Sequence, residues 1–299
     1  MIGLSALIKR NTKLFFKDKG LFFTSLITPM ILLVLYITFL YNVYYDSFKQ
    51  ALPEGISFDE TIFKGLVGGQ LVSSLLAVCC VTVAFCSNML MVQDKISGAK
   101  RDLTVSPVKS STLALGYYIS TLISTLVICC FAAIAGFIYL STIGWYLSVS
   151  DVLCVLLDTF LLCMFGTALS SIINFFLSSQ GQISAVGTIV SSAYGFICGA
   201  YMPISQFSEP LQNVISFLPG TYGTGLFRNH LMQGAFDEMA DSNIPSKIIE
   251  INKDVVDVNL YFFDEKVSIS SMYLILGITV VILVAVYILM NMFLKKKAK

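Results

Sequence analysis

Five stretches of this chain contain no Asp, Glu, Lys or Arg: the 26 residues between Lys19 and Asp46, then 65–93, 110–150, 159–208 and 267–294. Each exceeds the ~20 apolar residues that carry a helix across the hydrocarbon core of a bilayer at ~1.5 Å per residue. A water-soluble fold has no interior that hides so many such runs. Only 12% of the residues are charged, against roughly 25% in soluble domains, and the imbalance is opposite to that of a disordered chain. The sequence describes an all-α integral membrane protein.

Turn and charge signals divide the five runs into six expected spans. The first covers about Leu21–Tyr41, with a kink expected at Pro29, and the second Leu66–Val92. The third covers Leu113–Leu140, with Ser141–Ser150 and Trp145 as an interfacial turn, and the fourth Val152–Leu177. A polar break at 178–182 precedes a fifth, Ile183–Tyr201, and the last covers Ser268–Leu294. The positive-inside rule orients them. Placing both termini, the 93–112 loop and the 178–182 break in the cytoplasm gathers 13 of the 19 Lys and Arg there with three of the 18 acids. The net charge is then +10 on that side and −9 elsewhere, an N-in, C-in arrangement.

Residues 1–20 do not read as a cleaved signal, because no small-residue cleavage site follows the first apolar run. Leu4, Leu7, Ile8, Asn11, Leu14 and Phe15 mark one helical face, and Lys9, Arg10, Lys13 and Lys17 another. That pattern predicts an amphipathic helix at the inner membrane surface, either a lipid anchor or a connecting element.

Enzyme chemistry is missing from the sequence. There is no G-x-x-x-x-G-K-[ST], so no phosphate cradle of the P-loop type is expected. The glycines of 220–225 lack the lysine. The eight cysteines all fall in apolar segments and form no C-x-x-C pair, so they read as small packing residues, with no metal site. His230, the one histidine, reads as a loop residue without a catalytic role.

Transport fits better, on three features. The loop 93–108 is short and charged, and a helix stopped by Pro107 after Gly98 would project as a lever; an ordinary connection lying on anionic headgroups is the alternative. Gly69, Ser73 and Ala77 on the second span, and Gly187, Ser191, Gly195 and Gly199 on the fifth, form small-residue stripes. Such stripes admit close helix approach, within the chain or at a dimer seam. Finally, 203–220 is half-apolar, too short to span and carries Pro203, Pro210 and Pro219, as expected of a segment dipping into the outer leaflet.

The order of these parts resembles the permease subunits of the type 2 ATP-binding-cassette (ABC) exporter family. Ile8 to Lys19 followed by Pro29 resembles that family's connecting helix and first span. Gln93-Asp94, Gly98, Arg101-Asp102-Leu103 and Ser106-Pro107-Val108 resemble its coupling loop, with Asp94 where Glu is more usual and Ala99 in place of Thr. Gly199–Pro203 and Leu218–Tyr222 resemble its external re-entrant stretch. The similarity runs over about 1–227 and 268–299. It implies two permease halves, this chain with a second copy or a paralogue, and separate ABC ATPase subunits that bind Mg-ATP, so no cofactor is expected on this chain. It also implies that Lys9, Arg10, Asn11, Asp94, Gly98, Arg101, Asp102 and Pro107 transmit ATP-driven motion. By family tendency the substrate is an amphipathic or hydrophobic compound (a drug, antimicrobial peptide or lipid-linked molecule) exported across a bacterial plasma membrane. Lipids are partners and nucleic acid is not.

Two features stand outside the resemblance. Segment 228–267 is acidic and is expected to be a solvated extracellular cap, with Val255–Phe263 strand-like, or a collector of cationic substrates. Asp158 lies about two turns inside the fourth span, in register with Asp151, and is a candidate pathway residue. A proton- or sodium-coupled transporter using Asp158 is the alternative function, although the sequence shows no basic partner for it; a membrane scaffold is the third.

Overall fold

The structure is a computed structural model that describes residues 2–50, 60–105, 108–242 and 244–293, with backbone only at 2, 28, 37 and 47–50. Pro107 and the basic segment 295–299 lie outside the described residues. Helix α1 (Ile2–Lys17) is followed by α2 (Lys19–Leu35), whose first turn is capped by the Asp18 carboxylate accepting from the Leu21 N–H. Pro29 lies within α2. The chain widens into a π turn at Tyr36–Leu40 and continues as α3 (Tyr41–Gln50).

Helix α4 (Glu60–Ile96) is the axis of the bundle. Its 37 residues extend about 55 Å, more than a ~30 Å hydrocarbon core, and they are buried from Ile62 to Asn88 except at Lys64. A helix apolar all round belongs inside a bundle. Covering it are α2, α6 (Ser110–Ile143), α7 (Val149–Phe176), α8 (Gln180–Ile197) and α10 (Pro219–Asp241), while α12 (Ile269–Phe293) packs on α6, α7 and α10. Small residues allow the closest approaches. A Cβ on Gly166 of α7 would stand 2.8 Å from the Cys80 carbonyl oxygen and 2.9 Å from the Val81 Cα. One on Gly69 would stand 2.8 Å from the Leu231 carbonyl oxygen of α10.

Among the described residues, five helices are long and apolar enough to cross a membrane: 19–46, 60–96, 110–143, 149–176 and 269–293. The chain is an all-α membrane protein. The helix at the expected fifth span, α8, is not among these five, and its limits differ. Ser179 caps it by accepting from the Gln182 N–H, so Gln180–Gln182 form its first turn and only Leu177–Ser179 separate it from α7. It ends at Ile197, where Gly199 takes φ +73° and the Tyr201 ring folds back over Gly195.

The largest corrections concern 203–267. Pro210 and Pro219 do not bracket one dipping helix. Each lies in the first turn of its own, α9 (Glu209–Ile215) and α10, where a missing N–H costs nothing. Helix α10 runs unbroken through position 228, so the expected boundary between membrane region and acidic loop falls inside a helix. Nor is 228–267 simply a solvated cap: Arg228, Leu231, Met232, Phe236 and Met239 are buried. Val255–Phe263 is not a strand either. Helix α11 (Ser246–Val255) ends there, and only Tyr261–Phe262 (β1) pairs with Glu265–Lys266 (β2).

The Gly166 contact yields a test. Gly166→Ala should lower stability by about 1–3 kcal/mol, the range for overpacking, read as a lower unfolding midpoint in detergent. Gly181→Ala, with nothing within 4 Å of its Cβ position, should leave the midpoint unchanged.

Candidate functional site

At the end of the bundle that carries α1, a carboxylate at the end of α4 joins three helices. Asp94 is 5% exposed. Both its oxygens accept from Arg10 of α1, at 2.7 and 3.0 Å, and Oδ2 also accepts from the Tyr117 hydroxyl of α6 at 2.6 Å. This two-pronged guanidinium–carboxylate geometry is the most directional ion pair available to side chains. It holds the Arg10 pKa above its ordinary value, chiefly through the hydrogen bonds from Arg10 to Asp94. Arg10 also donates to the buried Asn11 at 2.8 Å. Leu7 seats against Gly116 and shares a buried apolar cluster with Met91 and Tyr117, fixing the apolar face of α1 on the bundle, while Lys9 stays exposed.

The residue after Asp94, Lys95, binds the C-terminal end of α7, donating to the carbonyls of Asn174, Phe175 and Leu177 at 2.8, 2.6 and 2.8 Å. Helix C-termini leave carbonyls without intrahelical partners and carry partial negative charge, so the ammonium answers both. Gly98, at φ +84°, then turns the chain into α5 (Ala99–Val105). No residue of α5 is buried, and Arg101, Asp102 and Val105 are exposed. Asp94 therefore belongs to the fastening beneath the loop, whereas Arg101 and Asp102 belong to its outer surface.

A cavity of about 990 Å³ opens between α2 and α8, with α4 as its floor. Leu32, Tyr36, Met89, Gly187, Ser191 and Tyr201 are among its walls. The small-residue stripes divide here. Gly187 and Ser191 face this cavity, Gly195 lies under Tyr201, and Gly199 presents its carbonyl to Arg228. Gly69, Ser73 and Ala77 are buried within the chain.

The other half of the bundle holds two polar clusters. Arg228, wholly buried, donates to Asp257 Oδ2 at 3.1 Å and to the Gly199 carbonyl. Asp257 also accepts from the backbone amides of Ile204 and Ser205. Burial pushes the Asp257 carboxyl above the usual range, while Arg228 and the amides oppose that rise. Asp158, 1% exposed, lies 2.7 Å from His230 Nδ1 and accepts from the Tyr273 hydroxyl at 2.6 Å. His230 is thus a helical residue of α10 and the basic partner that the sequence did not reveal for Asp158. Arg228 was not singled out either. Its position one turn from Gly225, amid buried apolar residues, was the available signal.

These features define a polytopic helical membrane protein with an exposed short helix on a long buried one. The model of the ABC-2 type transporter family matches residues 3–232, more than half of the chain. The chain belongs to that family, whose members of this kind are the permease subunits. No curated protein matches it.

Substitutions at Arg10 and Arg228, each with a companion change, test the clusters. Arg10→Met should raise tryptic cleavage within α1 roughly tenfold, the opening expected when about 1.5 kcal/mol of charged hydrogen bonding is lost, whereas Asp102→Asn should not. Arg228→Met leaves Asp257 buried without its cation and should cost about 3–5 kcal/mol; adding Asp257→Asn should restore part of it, measured by thermal unfolding.

Proposed function

We propose that this chain is one membrane half of an ATP-driven exporter, oriented N-in and C-in with six spans, α8 being the fifth. It pairs with a second copy or a paralogue across the cavity between α2 and α8 and works with a separate ABC ATPase that hydrolyses Mg-ATP. The observation that carries the reading is the exposed helix α5 at the end of the buried α4. Beside it α1 is held by Arg10, Asp94 and Tyr117. A push on α5 passes into α4 through Gly98, into α7 through Lys95, and into α1 and α6 through Asp94. Arg101 and Asp102 offer the charges that a partner surface would meet.

The cavity supports an amphipathic or hydrophobic substrate, such as a drug, antimicrobial peptide or lipid-linked molecule. Leucines and aromatic rings line it together with the hydroxyls of Ser184, Thr188, Ser191 and Ser192. The lining carries little charge, so a soft apolar body with a few hydrogen-bonding groups fits it. Outward movement across a bacterial plasma membrane, with a role in drug or antimicrobial resistance, completes the proposal. The paired Asp158 and His230 favour a second reading, proton coupling through α7 and α10.

The two readings separate in one preparation. Gentle purification from native membranes should yield a stoichiometric P-loop ATPase with vanadate-sensitive hydrolysis. Arg101→Glu with Asp102→Lys should keep the chain in the membrane while abolishing substrate-stimulated hydrolysis. A preparation without an ATPase, whose flux follows a pH gradient and is lost in Asp158→Asn, would establish the second reading instead.

A further inference from the structure

Three helices remote in sequence each contribute one cysteine to the same point in the bundle. Cys80 of α4, Cys129 of α6 and Cys163 of α7 are all 0% exposed, and their sulfur atoms lie within 4.8 Å of one another. An atom bonded to three thiolates at about 2.3 Å, as in metal–thiolate sites, needs sulfurs about 4 Å apart or less. Rotation about the three Cα–Cβ bonds would have to supply the remainder.

Charge selects among the atoms such a triangle could hold. Residues 65–93 of α4, all of α6 and 159–176 of α7 carry no charged side chain. The two acids of α7 are engaged elsewhere, Asp151 in the cap with Ser148 and Asp158 with His230 and Tyr273. Three thiolates around a monovalent or divalent cation would leave a net negative charge inside the bundle, at a desolvation cost of several kcal/mol per ion. Three thiolates around a trivalent centre are neutral. We propose that Cys80, Cys129 and Cys163 form a three-thiol site for trivalent arsenic-class compounds, with arsenite as the simplest.

The exchange balances without an oxidant. Three As–O bonds of As(OH)₃ break and three As–S bonds form, while each thiol proton leaves with a hydroxide as water. Arsenite is neutral and small, so it enters an apolar bundle without shedding charge. Cys130, next to Cys129 and exposed on α6, offers a first point of contact. The product ties α4, α6 and α7 together at one atom, so helices that must shift past one another are pinned. Binding is independent of the transport reading, and its readout needs no transport.

The experiment uses the full chain in lipid discs under reducing conditions, with arsenite as the probe. Arsenic-edge X-ray absorption on the unaltered chain should show three sulfurs and no oxygen in the first shell. Intact mass should rise by one arsenic less three hydrogens. The gain should survive Cys130→Ser with Cys154→Ser and disappear in Cys163→Ser. An arsenic shell of two or fewer sulfurs, an adduct that persists in Cys163→Ser, or no adduct on the unaltered chain would overturn the proposal.

Discussion

A helix buried on every side within a membrane protein imposes a demand that the rest of this fold answers. Lipid chains are as apolar as leucine, so hydrophobicity alone does not draw helices around α4; close packing and satisfied polar groups must do so. Gly69 and Gly166 let α10 and α7 approach its backbone, and Gly136 of α6 admits Val72. Asn88 then bridges α4 to α7 by donating to Ser170 and Ser171 at 3.0 Å each. The remaining helices take their places as coverings of that axis.

Ion pairs fasten the two halves of this packing in different ways. Arg10 and Asp94 meet where α1 lies against the bundle, with Arg10 partly exposed, so the pair can part without leaving two charges in an apolar interior. Arg228 and Asp257 have no such freedom, because both are buried and each holds further backbone partners. The first geometry suits a joint that moves and the second a fixed corner, which ties α10, the end of α8 and the turn after α11 into one unit.

The long helices were legible because the membrane suppresses charge over whole spans. Helices α6 and α12 lie within charge-free runs, α4 extends its run by a few residues at each end, and α7 crosses two acids, Asp151 and Asp158. The element that escaped was α10. Its Arg228, Asn229, His230 and Gln233 read as loop chemistry along the sequence. Three of these find partners only in the fold: Arg228 on Asp257, Asn229 on the Val258 carbonyl, and His230 on Asp158. Periodicity reports which residues avoid water, and it is silent about polar residues that avoid water in pairs. The meeting of Cys80, Cys129 and Cys163 was likewise not legible, since spacing along the chain says nothing of three thiols contributed by three helices. At the basic end, Arg10 and Asp94 lie in two charged segments that the sequence already marked, whereas Tyr117 comes from the apolar α6 and was not singled out.

Helix α8 has a consequence for how the chain is made. It is 18 residues long, its first turn is Gln-Gly-Gln, and Thr188 and Ser192 spend their hydroxyls on carbonyls of its own backbone. Such a segment partitions poorly from the translocation channel into lipid by itself. Only Leu177–Ser179 separate it from α7, so under the proposed six-span arrangement the two would enter the bilayer together, the greasier arm carrying the other. A sequence change that lengthened this joint would therefore injure biogenesis before it touched any property of the finished protein.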